Sequence, residues 1–392
     1  MMLNCLPVVE KTEMVRYACM IERKTDGKTT NTETLWIEMP RLAILPEEDD
    51  AEPFLIMALL PAMAEKRDIH IEGAVSKKLL SNLCKFRDIW HSWNPDVFEK
   101  IEFSNTRLLE HTPPAGRNGA VAAFSGGGDS TFTTWRHKTG AAGQRSFDLR
   151  CCIMVHGFDI PLRKEETFKR VFVRCEETLK TLDLKLYPLR TNCRTIFTLN
   201  WELWHGPAVA ACLQLFKVEH SAGLIASTFN SNSLVFPWGS NPITDPMLST
   251  AGFEIIHDGI AFTRLQKFVA LREWQAGYNN LRVCFTGIDR DIIQEGNCGK
   301  CTKCVRTLLV IQFAGLPIPA SIQGPVTAKD IFRMRPSAAL AHGWRVTLKE
   351  AIKLRQPFSI ILAVAWIWFA SSLASLLKKA LQRFGIWEPS FR

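Results

Sequence analysis

Apolar positions along the chain follow two rhythms, and the balance between them changes near residue 119. Before it, Val15–Ile21 and Thr34–Met39 alternate as strands do and are joined through a polar stretch containing Asp26 and Gly27. Pro53–Lys66 is a continuous apolar helix, Ile69–Glu72 a short alternating strand, and Ser76–Trp93 a second helix with Ser76 as its cap. Residues 1–103 therefore predict a small N-terminal α+β module. Residues 104–118, with Pro113, Pro114 and Gly116, predict a linker.

Beyond the linker, apolar runs recur at Ala120–Phe124, Cys151–Val155, Leu184–Leu189, Gly223–Ala226 and Leu281–Phe285. Helical stretches such as Glu165–Leu182 and Gly206–Val218 lie between them. Strand alternating with helix is the pattern of an α/β fold, an open parallel sheet with helices on both faces. That domain is placed at 119–315, followed by a basic helical tail at 316–392.

Composition narrows the class only a little. With 47% hydrophobic and 22% charged residues the chain is a folded one. Charge is more informative by position than by total. From Ile331 to the end ten basic residues face two acidic ones, which places +8 of the chain's +9 in the tail. A basic excess confined to the tail speaks against a nucleic-acid groove across the body and suits an anionic surface better. Met1–Glu10 has no basic stretch leading into an apolar one, and the twelve cysteines read as reduced, which gives a cytoplasmic expectation.

The sharpest chemical signal follows the first strand of the larger domain, at Ser125, Gly126, Gly127, Gly128, Asp129 and Ser130. Three glycines let the backbone turn so that several N–H groups face one anion, and the helix that follows adds its positive end. The Ser125 and Ser130 hydroxyls can donate to phosphate oxygens, and Asp129 orients the loop or helps to hold Mg²⁺. A kinase-like P-loop would carry Gly-Lys-Ser/Thr, and the lysine is missing. The string resembles the loop of the PP-loop ATP pyrophosphatases. That resemblance implies cleavage of ATP between its α and β phosphates.

The second signal is a cysteine cluster. Cys298, Cys301 and Cys304 stand at x2 spacing, and Cys284, at the end of an apolar run, is the natural fourth ligand. Four thiolates suit a closed structural Zn²⁺ site, while an iron–sulfur cluster uses the same spacing. Within the PP-loop enzymes, a four-cysteine site behind the last strand is similar to that of the 7-cyano-7-deazaguanine synthases. Those enzymes activate a carboxylate with ATP and carry it, with ammonia, through an amide to a nitrile. The likeness covers roughly residues 119–315. The N-terminal module, the tail, and the segment from Pro237 to Pro246 with His257–Gly259, Arg264 and Lys267 depart from it. These features look more like a wider set of bacterial synthase-like proteins.

Ligands of open parallel sheets sit beyond the carboxyl ends of the strands. Gly157 and Asp159 follow one strand and are assigned to the nucleotide, Gly157 for close approach of adenine or ribose. Arg190 and Asn192 follow the next, Arg190 as a catalytic cation for a carboxylate or the leaving pyrophosphate and Asn192 as a nucleotide contact. Ser227, Asp245, Arg264 and Lys267 are assigned to the acceptor substrate. Cys193 is the thiol to watch outside the cluster, and His257 is assigned a structural role.

The expected partners are ATP, a small carboxylate and an amine donor, with a protein partner or protein substrate also open. Two rival functions remain: a sulfur-transferring enzyme acting on tRNA, which needs a reactive thiol or a redox cluster, and a non-catalytic nucleotide-sensing protein tethered to membranes. Residues 357–377 carry no charge over a bilayer-spanning length, flanked by Lys353, Arg355, Lys378 and Lys379. Trp366 and Trp368 sit mid-run and serines follow in its second half, which leaves membrane contact and a buried helix both open.

Overall fold

Alternation in the first forty residues produces a three-stranded antiparallel ribbon: β1 (Met2–Glu10), β2 (Met14–Thr25) and β3 (Lys28–Pro40). Val15, Tyr17, Cys19 and Ile21 are buried along one face of β2. The β2–β3 turn is made by Asp26 and Gly27, both at positive φ, the conformation that matches the twist of a two-residue hairpin. The computed structural model describes residues 1–42, 44–109, 118–284 and 297–383.

Among the described residues, ten strands form one sheet in the order β10-β9-β6-β7-β8-β3-β2-β1-β4-β5. The remaining strands are β4 (Ile69–Ser76), β5 (Phe103–Leu109), β6 (Ala120–Ala123), β7 (Leu149–His156), β8 (Lys185–Thr191), β9 (Ala222–Ala226) and β10 (Glu254–Asp258). Strands β10, β9, β6, β7 and β8 are mutually parallel, as are β1, β4 and β5. The ribbon joins the two sets antiparallel, with Ile37 opposite Thr191 and Glu38 opposite Arg190. The sheet is therefore open, mixed and mostly parallel.

The expected domain boundaries shift. The first module continues the sheet of the larger domain. The expected linker contains strand β5 over 104–109, and its proline-rich remainder, 110–117, lies outside the described residues. The chain falls into two compact units, Met1–Ser125 with Asp129–Ala261, and Gly126–Gly128 with Phe262–Phe391. The cysteine region thus belongs with the tail.

In the first unit, α1 (Glu52–Glu65) is buried from Glu52 to Met63, apolar on all sides as its sequence demands. It packs on α6 (Trp201–Gln214). The expected start of that helix at Gly206 is too late. The Asn200 side chain accepts the Glu202 N–H at 3.0 Å and caps it, so His205 and Gly206 lie mid-helix. Ser76 caps α2 (Lys77–Trp93) as predicted, accepting the Leu79 N–H at 3.3 Å. Lys217 Nζ lies 2.7 Å from Asp50, next to the start of α1, and this buried charge pair fixes where the helix enters.

The second unit is helical, with α7 (Arg264–Leu271), α8 (Gln275–Asn279), α9 (Thr302–Phe313), α10 (Ala328–Phe332), α11 (Ala341–Lys353) and α12 (Phe358–Arg383). Its core holds Val305, Leu308, Leu309, Ile331, Trp344, Val364 and Ile367. The strand expected at Leu281–Phe285 is absent over Leu281–Cys284, and Phe285 lies outside the described residues. The reason is a side chain. Asn297 Oδ1 accepts the N–H groups of Val283 and Cys284 at 2.7 and 3.0 Å, and its Nδ2 donates to the Leu281 carbonyl at 2.7 Å. One buried amide thus replaces a neighbouring strand.

Candidate functional site

Strand β6 is the pivot of the parallel set. From it the chain steps to β7 and β8 on one side and later to β9 and β10 on the other, so the topological switch point lies at the end of β6. Phe124 and Ser125 follow that strand, and α3 (Gly128–Lys138) begins at the third glycine. Gly126 has φ +74°, a left-handed turn that glycine takes at no cost. Ser130 ties the loop to the helix. Its Oγ accepts the Ser125 N–H at 3.2 Å and lies 3.3 Å from Ser125 Oγ. The six residues thus form the turn and the helix start that follow β6, as the sequence predicted, with Asp129 in the first helical turn.

Helix α3 is anchored by a residue to which the sequence assigned no role of its own. Asp258, at the end of β10, accepts from Thr133 Oγ1 at 2.8 Å and from Arg136 Nη1 at 3.2 Å. His137 Nδ1 accepts the Phe147 N–H, which leaves Nε2–H on the side of Asp258, 3.2 Å away. Burial opposes ionisation of this carboxylate, yet His137, Arg136 and Thr133 outweigh it and hold its pKa below the ordinary aspartate value. The resulting stability is present above the unfolded-state pKa and is lost as pH falls through the depressed folded one. Asp258→Asn removes the carboxylate charge that faces the buried Arg136, so a loss of about 3 kcal/mol is expected at pH 7. The deficit should narrow towards pH 3 in denaturant melts, as the wild-type group takes up its proton.

The other expected contacts divide. Gly157 is at φ +106°, and a Cβ there would lie 1.9 Å from the Thr191 carbonyl. What demands glycine is therefore the neighbouring strand end, not the approach of a nucleotide. Asn192 was assigned to the nucleotide, but its Oδ1 accepts the Trp36 N–H at 2.9 Å and its Nδ2 donates to the Thr34 carbonyl at 2.8 Å. Both ends of the amide are spent on lengthening the β3–β8 junction. Asn192→Ala should lower the melting temperature, at a cost of about 1–2 kcal/mol, and leave nucleotide binding by isothermal titration unchanged.

Ser227 and Asp245, assigned to the acceptor, are both buried and hydrogen-bonded within the fold. Ser227 is fully buried, its hydroxyl turned to the Phe229 carbonyl. Asp245 is also fully buried and accepts from Ser240 Oγ at 2.6 Å, from the Asn241 N–H at 3.1 Å and from His257 Nδ1 at 2.8 Å. His257 is accordingly the structural residue expected. Although serine, histidine and aspartate meet here, Ser240 and His257 share one carboxylate oxygen, which is not the geometry of a nucleophilic triad.

Arg190 lies within β8, its Nε 3.9 Å from Glu38, which Arg16 holds at 2.7 Å. Asp159 follows β7. The Cys193 thiol is buried, which pushes its pKa up to about 12 and makes it a poor nucleophile. Arg264 and Lys267 lie on α7 in the second unit, where Arg264 Nη2 approaches Thr307 Oγ1 at 3.3 Å and Lys267 is buried.

The cysteine cluster assembles as the spacing requires. The sulfurs of Cys284, Cys298, Cys301 and Cys304 all lie within 4.8 Å of one another. The Cys284–Cys298, Cys284–Cys301 and Cys298–Cys304 separations are 3.4, 3.7 and 3.9 Å. Thiolates about 2.3 Å from one tetrahedral ion stand about 3.8 Å apart, so the cradle has the size for a single metal ion. A cube with each thiolate on a separate iron needs a wider one. Hydrogen bonds from Cys301 and Cys304 pull the Cys284 thiol far below the usual range, and the same bonds raise the thiols of Cys301 and Cys304. Cys301 caps α9 and Cys304 lies in its first turn, so the positive end of the helix also favours thiolates. Asn297, to which the sequence assigned no role, positions Cys284 by accepting its N–H.

Comparison with protein-family models, with curated proteins and with solved structures found no match.

Proposed function

We propose that the chain is an ATP-dependent adenylating enzyme of the PP-loop type. It would activate a small carboxylate for amide or nitrile formation, as the 7-cyano-7-deazaguanine synthases do. The observation that carries this reading is the position of the loop Ser125–Ser130, at the switch point of a parallel sheet and at the start of α3, without a P-loop lysine.

In this mechanism a carboxylate oxygen of the substrate attacks the α-phosphorus of ATP. The bond to the bridging oxygen of the β-phosphate breaks, giving an acyl-adenylate and pyrophosphate. Ammonia or another amine then attacks the acyl carbon, AMP leaves with the electron pair of the carbon–oxygen bond, and the amine loses a proton. The loop's backbone N–H groups and the hydroxyls of Ser125 and Ser130 hold the departing pyrophosphate. Asp129 is the carboxylate available to a Mg²⁺ ion that accompanies ATP, and the ion's charge would ease departure of the phosphates. Arg190 is the cation assigned to the carboxylate, with Asp159 on the nucleotide side. The four cysteines would hold Zn²⁺ as a structural ion.

The buried thiols of Cys151, Cys152 and Cys193, all raised in pKa by burial, count against sulfur transfer. The reading is tested by incubating the protein with labelled ATP and a panel of carboxylates, 7-carboxy-7-deazaguanine first. AMP and a product whose mass reflects carboxylate plus amine are expected. ADP as the nucleotide product would sink it.

A further inference from the structure

The helix α12 is apolar on two sides, but only one of them is packed. Ala363, Val364, Ile367 and Ser371 are fully buried, and the helix lies against α10 and α11. Phe358, Leu362, Trp366, Phe369, Leu373, Leu376 and Leu377 are exposed, Phe358 to 77% and Leu376 to 65%. At helical pitch these seven fall within an arc of about 100°. Ile352 and Leu354, just before the helix, are exposed as well.

We infer that this arc is a docking face for an anionic lipid surface, with the helix lying in the plane of the membrane. Three observations select that occupant. Cations flank the segment along the chain: Lys349, Lys353 and Arg355 precede it and Lys378 follows, all exposed. Glu350 is the single acidic residue between Ile331 and Arg383. A second copy docked on the same face would bring two such basic flanks together, which anionic headgroups would instead neutralise.

The aromatic residues point the same way. Segment Phe358–Lys378 has the length and composition of a bilayer span. A span places aromatic residues near its two ends. Here Trp366 and Phe369 lie at its middle and on the exposed arc. An in-plane helix keeps every turn at interfacial depth, where tryptophan is favoured. The packed side adds the third reason. A helix held along one side by α10 and α11 cannot be surrounded by lipid, but it can present its free side to a surface.

The test is co-sedimentation of the full chain with vesicles in the absence of nucleotide, so that it stands apart from the adenylation reading. Binding to phosphatidylcholine vesicles containing phosphatidylglycerol should exceed binding to pure phosphatidylcholine by roughly tenfold or more. Raising salt to about 0.5 M should remove most of that difference. The triple variant Leu362→Ser, Phe369→Ser, Leu376→Ser changes exposed side chains only. It should lose binding by roughly tenfold with an unaltered melting curve. Lys353→Glu with Arg355→Glu should lose the preference for anionic lipid. Chain that stays in the supernatant with every vesicle, yet forms a dimer that the triple variant dissolves, would overturn the proposal in favour of a second copy. Retention in vesicles after alkaline carbonate extraction would overturn the in-plane arrangement in favour of a span.

Discussion

Asp129→Ala is expected to reduce AMP formation by about 10²–10³-fold, the scale on which removal of one preorganised electrostatic group is felt. The variant should remain folded. Asp129 lies in the first turn of α3, a position where a carboxylate adds only a few tenths of a kcal/mol to about 1 kcal/mol through the helix dipole. The anchoring of that helix rests on Asp258, Arg136 and Thr133 instead. Ser130→Ala should show a comparable catalytic loss together with a stability cost of about 1 kcal/mol, because its hydroxyl also satisfies the Ser125 N–H. The two variants therefore give different ratios of activity lost to stability lost. AMP released at the wild-type rate by Asp129→Ala would remove the loop from the mechanism.

The parts of the fold that were legible are those where burial and sequence period coincide. β2 and β3 alternate because one face is buried, and β6, β7 and β9 read as apolar runs because they sit inside a parallel set. The missed strands lack that signal. β5 and β10 are the two edges of the sheet. β5, with Ser104, Asn105 and Arg107, carries the polar character that edge strands need. In β1 only Leu3 is fully buried, so backbone pairing with β2 and β4 defines a strand that side-chain pattern does not mark.

Site residues divide along a similar line. A polar residue at the end of a parallel strand can face a ligand or satisfy the backbone that the sheet has just released, and sequence position alone does not separate the two. Asn192, Ser227 and Asp245 took the second role, as their hydrogen bonds show. The glycine loop and the cysteines were legible because their chemistry needs fixed residue types at fixed spacing. Asn297 and Asp258 carry no such spacing, and only their partners reveal what they do.

For the cysteine cluster the size of the effect separates a metal site from four neighbouring thiols. If the thiols merely pack, Cys301→Ser exchanges one half-buried sulfur for oxygen and costs about 1 kcal/mol. If they bind one ion, the variant removes a ligand and most of the binding free energy that folding recovers, and the expected loss is on the order of 5 kcal/mol. Such a loss would fall first on the second unit. Cys304 and Val305 are in its core beside Leu308 and Trp344, and Cys301 opens the helix that carries them. Purified protein should be colourless with about one zinc per chain, since Zn²⁺ is d¹⁰. A strong chelator should reproduce the variant's melting curve, and added Zn²⁺ should restore the wild-type chain but not Cys301→Ser. A brown protein rich in iron, or a chelator without effect on the melt, would show that sulfurs this close together serve another purpose.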